Sequence, residues 1–412
     1  MKILILSDLY PPIIGGQERH AQSLSRELSK RGHEVTVCTI GHQGLPEYEE
    51  EGGVKIYRVQ GFFQKIPLLF KDPTRRLHPP IRDWLVTNHL RHILEEGRPD
   101  IIHTHGRILY SALALRKRFD IPIVVTLHSY ALLCPKTNLM RGNTICDKPF
   151  TRDCIACSKD SYGLPKSLFA YYGTRVGKGR LRLVDKFIAV SSFVKEVHAK
   201  HLGLSDKDIV MIHNFCDTDA DGQGEKVENL PEDFVLFVGA LIPGKGVNVL
   251  IKAFQSLHTK TKLVLIGGTY PDYHYQSTKN IRVIENAPHH AVMEAMLKCR
   301  FAVFPSIWPE PFALVTIEAM SQRKAVIASN IGGLKEAVVD GETGILVSPN
   351  NSNKLSDAIF YLLEKPEVAS RMGESGYRVF MGNYTPDAII PKIIEVYEGL
   401  LYPAKARRNR SD

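Results

Sequence analysis

The sequence predicts an α/β protein built as two doubly wound, mostly parallel-sheet halves. Three observations carry this. Short apolar runs alternate with amphipathic helical segments from the first residues onward, the pattern of strand–helix–strand units. A polar, glycine-containing stretch at 219–229 then interrupts the series. A second series of the same kind begins at Phe234. With 412 residues the chain has room for two or three domains.

The first series opens with a strand at 2–7 and a loop, Tyr10-Pro11-Pro12-Ile13-Ile14-Gly15-Gly16. A helix at 17–31 places Ala21, Leu24 and Leu28 on one face, and Gly32 ends it. Strands follow at 34–40 and 54–59, then an amphipathic helix at 82–96. Further strands fall at 100–105, 122–127 and 186–190, with helical segments between, and a strand begins near Ile209. The second series has strands at 234–238, 262–266, 281–284, 301–304 and 324–328, with helices at 248–258 and 290–298. Helices at 355–364, 366–380 and 386–402 close the chain. The expected domains are 1–217, 218–385, a last helix at 386–402 that returns to the first domain, and a basic tail at 403–412. A cleft is expected where the strand C-termini of the two halves meet, the usual place for a ligand in such sheets.

Composition narrows the function. Hydrophobic residues make up 44% and charged residues 24%, so an ordinary packed core is expected. No run approaches the roughly 18 apolar residues of a membrane span, and the apolar start is too short for a secretion signal. A cytoplasmic protein is expected, with peripheral attachment at the inner face of a membrane as an extension. The net charge of +9 would attract anionic sugar donors and anionic lipid headgroups. No nucleic-acid-binding motif is present.

One stretch carries most of the chemistry: Pro305-Ser306-Ile307-Trp308-Pro309-Glu310-Pro311-Phe312-Ala313-Leu314-Val315-Thr316-Ile317-Glu318-Ala319-Met320. A buried strand leads into it, two prolines break the chain, and a helical pattern follows. Pro311 suits the first helical position, because its missing N–H would have no partner there. The amides of Phe312, Ala313, Leu314 and Val315 then form an anion site at a helix N-terminus. Glu310 stands just outside that helix and Glu318 about two turns along it. Carboxylates beside an anion site suit a nucleotide sugar: hydroxyls to the carboxylates, phosphate to the amides.

The Glu-x7-Glu spacing in Glu310-Pro311-Phe312-Ala313-Leu314-Val315-Thr316-Ile317-Glu318 resembles the signature of family 4 retaining glycosyltransferases of the GT-B fold. The resemblance covers nearly the whole chain, and its motifs appear in family order. Gly15-Gly16 resembles the family's glycine loop facing the donor phosphates and the acceptor. Gly239-Ala240-Leu241-Ile242-Pro243-Gly244-Lys245-Gly246 resembles the loop whose Arg and Lys neutralise the pyrophosphate. Lys245 matches the Lys, but Ala240 stands where the family has Arg. His128 follows a strand end, where the family places a His beside the donor sugar; His105 could line the same region. Asn286-Ala287-Pro288-His289 resembles the loop that holds the base.

The resemblance implies two Rossmann-like domains facing across a cleft. It implies transfer of a hexose, with retention, from a UDP- or GDP-sugar to a hydroxyl of a lipid-linked or saccharide acceptor. Glu310 would hold the donor sugar and Glu318 the ribose. No catalytic metal is implied, because the helix N-terminus takes the place of a divalent ion. Two alternatives stand beside it: an epimerase or phosphorylase on the same fold, and a weakly catalytic nucleotide-sugar-binding protein, to which Ala240 points.

Two features lie outside that scheme. Cys134, Cys146, Cys154 and Cys157 cluster in an insertion at 130–162 that reads as irregular, and Cys154-Ile155-Ala156-Cys157 has a metal-binding spacing. Structural zinc suits four thiolates; free thiols, an iron–sulfur cluster and a disulfide, which a cytosolic setting disfavours, are the alternatives. Two stretches also mix apolar and basic residues: 62–71, and 167–172 followed by Arg175, Lys178, Arg180 and Arg182. They read equally as an anionic-membrane surface or as a core face with a solvated rim.

Overall fold

The computed structural model describes residues 1–13, 15–66, 76–217, 230–268 and 273–402. The linker at 219–229, the basic tail, residues 67–71 of the first apolar–basic stretch and Ile14 lie outside the described residues. The chain divides into two compact units, Met1–His213 with Ile389–Asp412, and Asn214–Ala388.

In the first unit the order is β1 (Lys2–Ser7), α1 (Gly16–Lys30), β2 (Glu34–Ile40), β3 (Tyr48–Glu51), β4 (Val54–Val59), α2 (Trp84–Gly97), β5 (Ile101–His105), α3 (Leu109–Leu113), α4 (Arg116–Phe119) and β6 (Ile123–Leu127). It continues with β7 (Met140–Arg141), β8 (Thr144–Ile145), α5 (Asp153–Tyr162), α6 (Leu164–Arg180), β9 (Lys186–Ala189), α7 (Ser192–Leu202) and β10 (Ile209–Met211). Eight strands form one sheet in the order β10-β9-β6-β5-β1-β2-β4-β3. All pair in parallel except β3, which runs antiparallel to β4 at the edge. Its glutamates give that edge a charged rim, which discourages further pairing. Ile3, Leu4, Ile5 and Leu6 are all buried, as expected of a central strand covered on both faces. Local chemistry sets the helix ends: Asp83 caps α2 by accepting from the Leu85 and Val86 amides, and left-handed Gly203 ends α7.

The second unit contains β11 (Phe234–Val238), α8 (Val247–Gln255), β12 (Lys262–Gly267), β13 (Ile281–Glu285), α9 (His289–Lys298), β14 (Ala302–Phe304), α10 (Leu314–Ser321), β15 (Val326–Ser329), α11 (Leu334–Ala337), β16 (Gly344–Val347), α12 (Ser352–Glu364) and α13 (Pro366–Asn383). The last helix, α14 (Pro386–Leu401), places Tyr397 in the first unit, against His103. The six-stranded sheet runs β13-β12-β11-β14-β15-β16, parallel throughout. Strand order reverses between β11 and β14, so the loops leaving those two strands flank the switch point where α/β sheets bind ligands. In the first sheet the equivalent point lies between β1 and β5.

Several expectations need correction. Helix α10 begins at Leu314, so Pro311 is not its first residue and lies in the preceding loop. The insertion at 130–162 is not irregular: it holds the β7–β8 hairpin and the ten-residue α5. Its low apolar content concealed both, since α5 buries only Cys154 and Ser158. Strands β3 and β16 were also unforeseen, each being four residues long.

Candidate functional site

The second unit assembles its site from the loops after β11 and β14. Glu310 is buried, and its Oε1 accepts from Lys245 Nζ at 2.6 Å, Ser306 Oγ at 2.7 Å and Trp308 Nε1 at 2.7 Å. Lys245 also lies 5.4 Å from the centre of the Trp308 ring, within cation–π range. The two loops are fastened by the Ile307 amide donating to the Gly244 carbonyl at 3.0 Å. Gly246 is left-handed (φ 76°), and a side chain there would collide with the Pro305 carbonyl.

A third segment supports Glu310 from beneath. The Gly333 amide donates to the Glu310 carbonyl at 2.6 Å. A Cβ on Gly332 would collide with the Pro309–Glu310 backbone, and one on Gly333 with the Pro311 carbonyl. This contact occupies the Glu310 carbonyl, and α10 starts three residues later than its proline suggests. No side chain caps α10; Ala313 is its N-cap, with φ −85° and ψ 102°. The Leu314 and Val315 amides therefore belong to its first turn, while Phe312 and Ala313 are buried in the approach to it. Glu318 lies farther along α10, buried, with Oε1 3.9 Å from Nε2 of His289 at the start of α9. Asn286, two residues after β13's penultimate position, is left-handed (φ 53°), and its amide donates to the Gly267 carbonyl. The structure thus brings Lys245, Glu310 and the α10 N-terminus together at the switch point. Ser306, Trp308, Gly332 and Gly333 were not foreseen. A second Gly-Gly pair following a strand was the available signal for the last two.

The first unit gathers a histidine cluster at its own switch point. Gly15 precedes α1 and Gly16 is the first residue of α1. Gln17 Nε2 donates to the His105 carbonyl at 2.8 Å, tying α1 to the end of β5. His105 Nδ1 and His128 Nε2 are 2.8 Å apart, with the rings stacked at 5.1 Å. His20 of α1 meets the His128 ring edge-on at 4.9 Å. Burial, then the neighbouring His20 and His103, holds His128 well below the ordinary imidazole range. Burial likewise keeps His105 low and drives His20 and His103 to about 3. Burial therefore favours neutral imidazoles here over a cationic patch, with an imidazole–imidazole hydrogen bond between His105 and His128. Asp8, after β1, accepts from the Arg107 and Ile108 amides at 3.0 and 2.6 Å. Burial outweighs those bonds and pushes its carboxyl up to about 6. Neither Asp8 nor His20 stood out in the sequence.

All four clustered cysteines line one small cavity beside the β7–β8 hairpin. The two apolar–basic stretches also meet: Phe63 lies 5.6 Å from Phe169, and Phe62 lies 6.1 Å from Trp84. Trp84, Tyr172 and Val176 are each more than half exposed there. Among the described residues, no helix is long and apolar enough to cross a membrane.

Comparison with known proteins agrees with this architecture. A family profile described as Glycosyltransferase Family 4 matches residues 14–220, and one described as Glycosyl transferases group 1 matches residues 222–379. The chain is 28% identical over 406 residues to an uncharacterized glycosyltransferase of Methanocaldococcus jannaschii, covering 97% of this chain and 99% of that protein. It is 24% identical over 405 residues to a phosphatidyl-myo-inositol mannosyltransferase of Mycolicibacterium smegmatis, covering 93% and 90%. Its fold is similar to that of a sucrose-phosphate synthase from Thermosynechococcus elongatus, with TM-score 0.74, 20% identity, and coverage of 98% and 100%.

Proposed function

The chain belongs to glycosyltransferase family 4, and from that premise we propose that it transfers a hexose, with retention, from a nucleoside diphosphate sugar to an acceptor hydroxyl. The observation that carries the reading is the meeting of Lys245, Glu310 and the uncapped α10 N-terminus at the switch point of the second sheet. Lys245 and the Leu314 and Val315 amides are placed to stabilise charge gathering on a leaving diphosphate. Glu310 accepts the donor sugar's hydroxyls near the reacting carbon, and Glu318 accepts those of the ribose.

In the proposed step the bond from the anomeric carbon to the diphosphate oxygen breaks. A bond to the acceptor oxygen forms on the same face, and the acceptor's proton passes to the departing diphosphate. This chain then supplies position and charge, and no nucleophile of its own. The first unit is assigned the acceptor side, with Gly15, Gly16 and His128 as its contacts. The exposed Phe62, Trp84, Phe169 and Tyr172, beside Arg175 and Lys178, favour a lipid-linked acceptor at an anionic surface. Co-sedimentation with anionic and neutral vesicles checks that part.

The deciding measurement is thermal stabilisation by a panel of UDP-, GDP- and ADP-sugars, with Glu318→Ala as control. Binding raises the melting temperature by mass action. A shift for one donor, lost in the variant, identifies the donor. No shift in folded protein would refute the donor site and make Ala240 a disabling change.

A further inference from the structure

We propose that Cys134, Cys146, Cys154 and Cys157 form a structural zinc site that fastens the segment between β6 and α6. The backbone brings the four together from separate elements. Cys134 sits in a turn after β6, where its amide donates to the Tyr130 carbonyl and its carbonyl accepts from the Thr137 amide. Cys146 follows β8, and its amide donates to the Leu139 carbonyl at 2.7 Å across the hairpin. Cys154 and Cys157 stand one turn apart at the start of α5. All four line a single cavity of about 20 Å³. The other cysteines, Cys38, Cys216 and Cys299, are buried elsewhere in the cores of the two units.

A second observation concerns the sulfurs. Backbone hydrogen bonds at Leu139 and Lys136 reach Cys134, and at Phe150 and Thr151 reach Cys154, though burial outweighs them and raises both thiols. Amide donors aimed at sulfur are what a metal-bound thiolate requires of its surroundings. Lys136 and Lys148 line the same cavity and offset part of the negative charge of four thiolates, while Arg141 there pairs with Asp153 at 3.1 Å. Thr137, Leu139 and Phe150 are all left-handed without being glycine (φ 64°, 56° and 68°). Each is strained, and all three sit in the turns that carry the cysteines. Two-residue strands are a weak means of holding three such residues.

As the side chains now stand, no group of three or more His, Cys, Asp or Glu among the described residues could hold a metal ion. The placement of each sulfur depends on one staggered rotation about Cα–Cβ, whereas the backbone already puts all four cysteines on one cavity. In the proposed site, rotation about these bonds turns the four sulfurs onto one ion, at the roughly 2.3 Å of a zinc–thiolate bond. Zinc is favoured over calcium or magnesium because the donor set is wholly thiolate. The clip has a defined reach. Arg175 Nη1 of α6 donates to the Phe150 carbonyl at 3.1 Å, and Lys178 Nζ lies 4.7 Å from the Phe150 ring. Loss of the metal would loosen the footing of α6 and the segment that follows His128.

The test begins with the wild-type chain, produced without a metal-binding tag, by elemental analysis and cobalt exchange. The expected result is about one zinc per chain. Cobalt should give the thiolate charge-transfer band and intense d–d absorption of a tetrahedral sulfur site. Cys154→Ser with Cys157→Ser should lose the metal and both bands, and raise hydrogen exchange across 129–180 while leaving 234–304 unchanged. Sub-stoichiometric zinc in folded protein whose four thiols all react freely would overturn the proposal. So would paired disulfides by mass, or iron with a visible chromophore. If the double variant fails to fold, the wild-type zinc content and cobalt spectrum still decide.

Discussion

Replacing Glu310 with Gln should push diphosphate binding and turnover in opposite directions. Glu310 Oε1 takes three donors, one of them the Lys245 ammonium at 2.6 Å. The amide oxygen of Gln keeps all three bonds, and the Lys245 bond stays charge-assisted through its ammonium, but the attraction between opposite charges is lost. The opposite charge adds on the order of 1 kcal/mol to such a part-buried pair, so about that much of the restraint on Lys245 disappears. A diphosphate that must draw Lys245 away then binds about fivefold more tightly. Turnover moves the other way, because a carboxylate aimed at the sugar during transfer is lost; removing one such stabilising group costs about a hundred- to a thousandfold. Because the acceptor is unidentified, turnover is read as nucleoside diphosphate released by slow transfer to water. Affinity is read by calorimetric titration of the diphosphate, and folding by a melting temperature within roughly 2–5 °C of wild type. Turnover within threefold of wild type would refute the role of Glu310. A parallel fall of affinity and turnover in folded protein would refute the competition between Glu310 and diphosphate for Lys245.

Gly333→Ala should damage the site through the backbone, since its Cβ meets the Pro311 carbonyl while its own φ of −75° is ordinary. A loss of about 1–3 kcal/mol in stability is expected, together with a fall in turnover. Gly382→Ala, with open space around it, should do neither; equal melting temperatures for the two variants would dismiss the cradle. Acid should open the first unit before the second. Burial holds His20 and His103 at about 3, and His78 and His198 at about 4, against about 6.5 in the unfolded chain. Their stabilising contribution is present above about pH 6.5 and is lost as the pH falls toward 4, at about 1.4 kcal/mol per unit for each. Asp8, pushed up to about 6, has the opposite sign and regains about one histidine's worth between pH 6 and 4. Mass-spectrometric thiol labelling at pH 5 should therefore reach Cys38 of the first unit before Cys299 of the second; simultaneous labelling would contradict the assignment.

What could be read in advance followed the range of the interactions involved. Strands such as β1, β2 and β11 were legible to the residue or nearly so, because continuous apolar runs are a local property. Lys245 and Glu310 were legible through their spacing and their place after strands, although nothing local put them in contact. The start of α10 was misread because a proline's preference for the first helical turn is also local. The force that overrides it comes from Gly333, 23 positions beyond Glu310, whose amide takes the Glu310 carbonyl that a helix beginning at Pro311 would have used itself. The cluster around His128 shows the same limit. His105 and His128 could be placed at strand ends, but His20 joins them from α1 only after the sheet order brings β1, β5 and β6 side by side. In the insertion the order is reversed: four cysteines were conspicuous in a segment whose secondary structure was not. There the side-chain chemistry was the stronger local signal, and hairpin and helix are the scaffold that brings those thiols to one cavity.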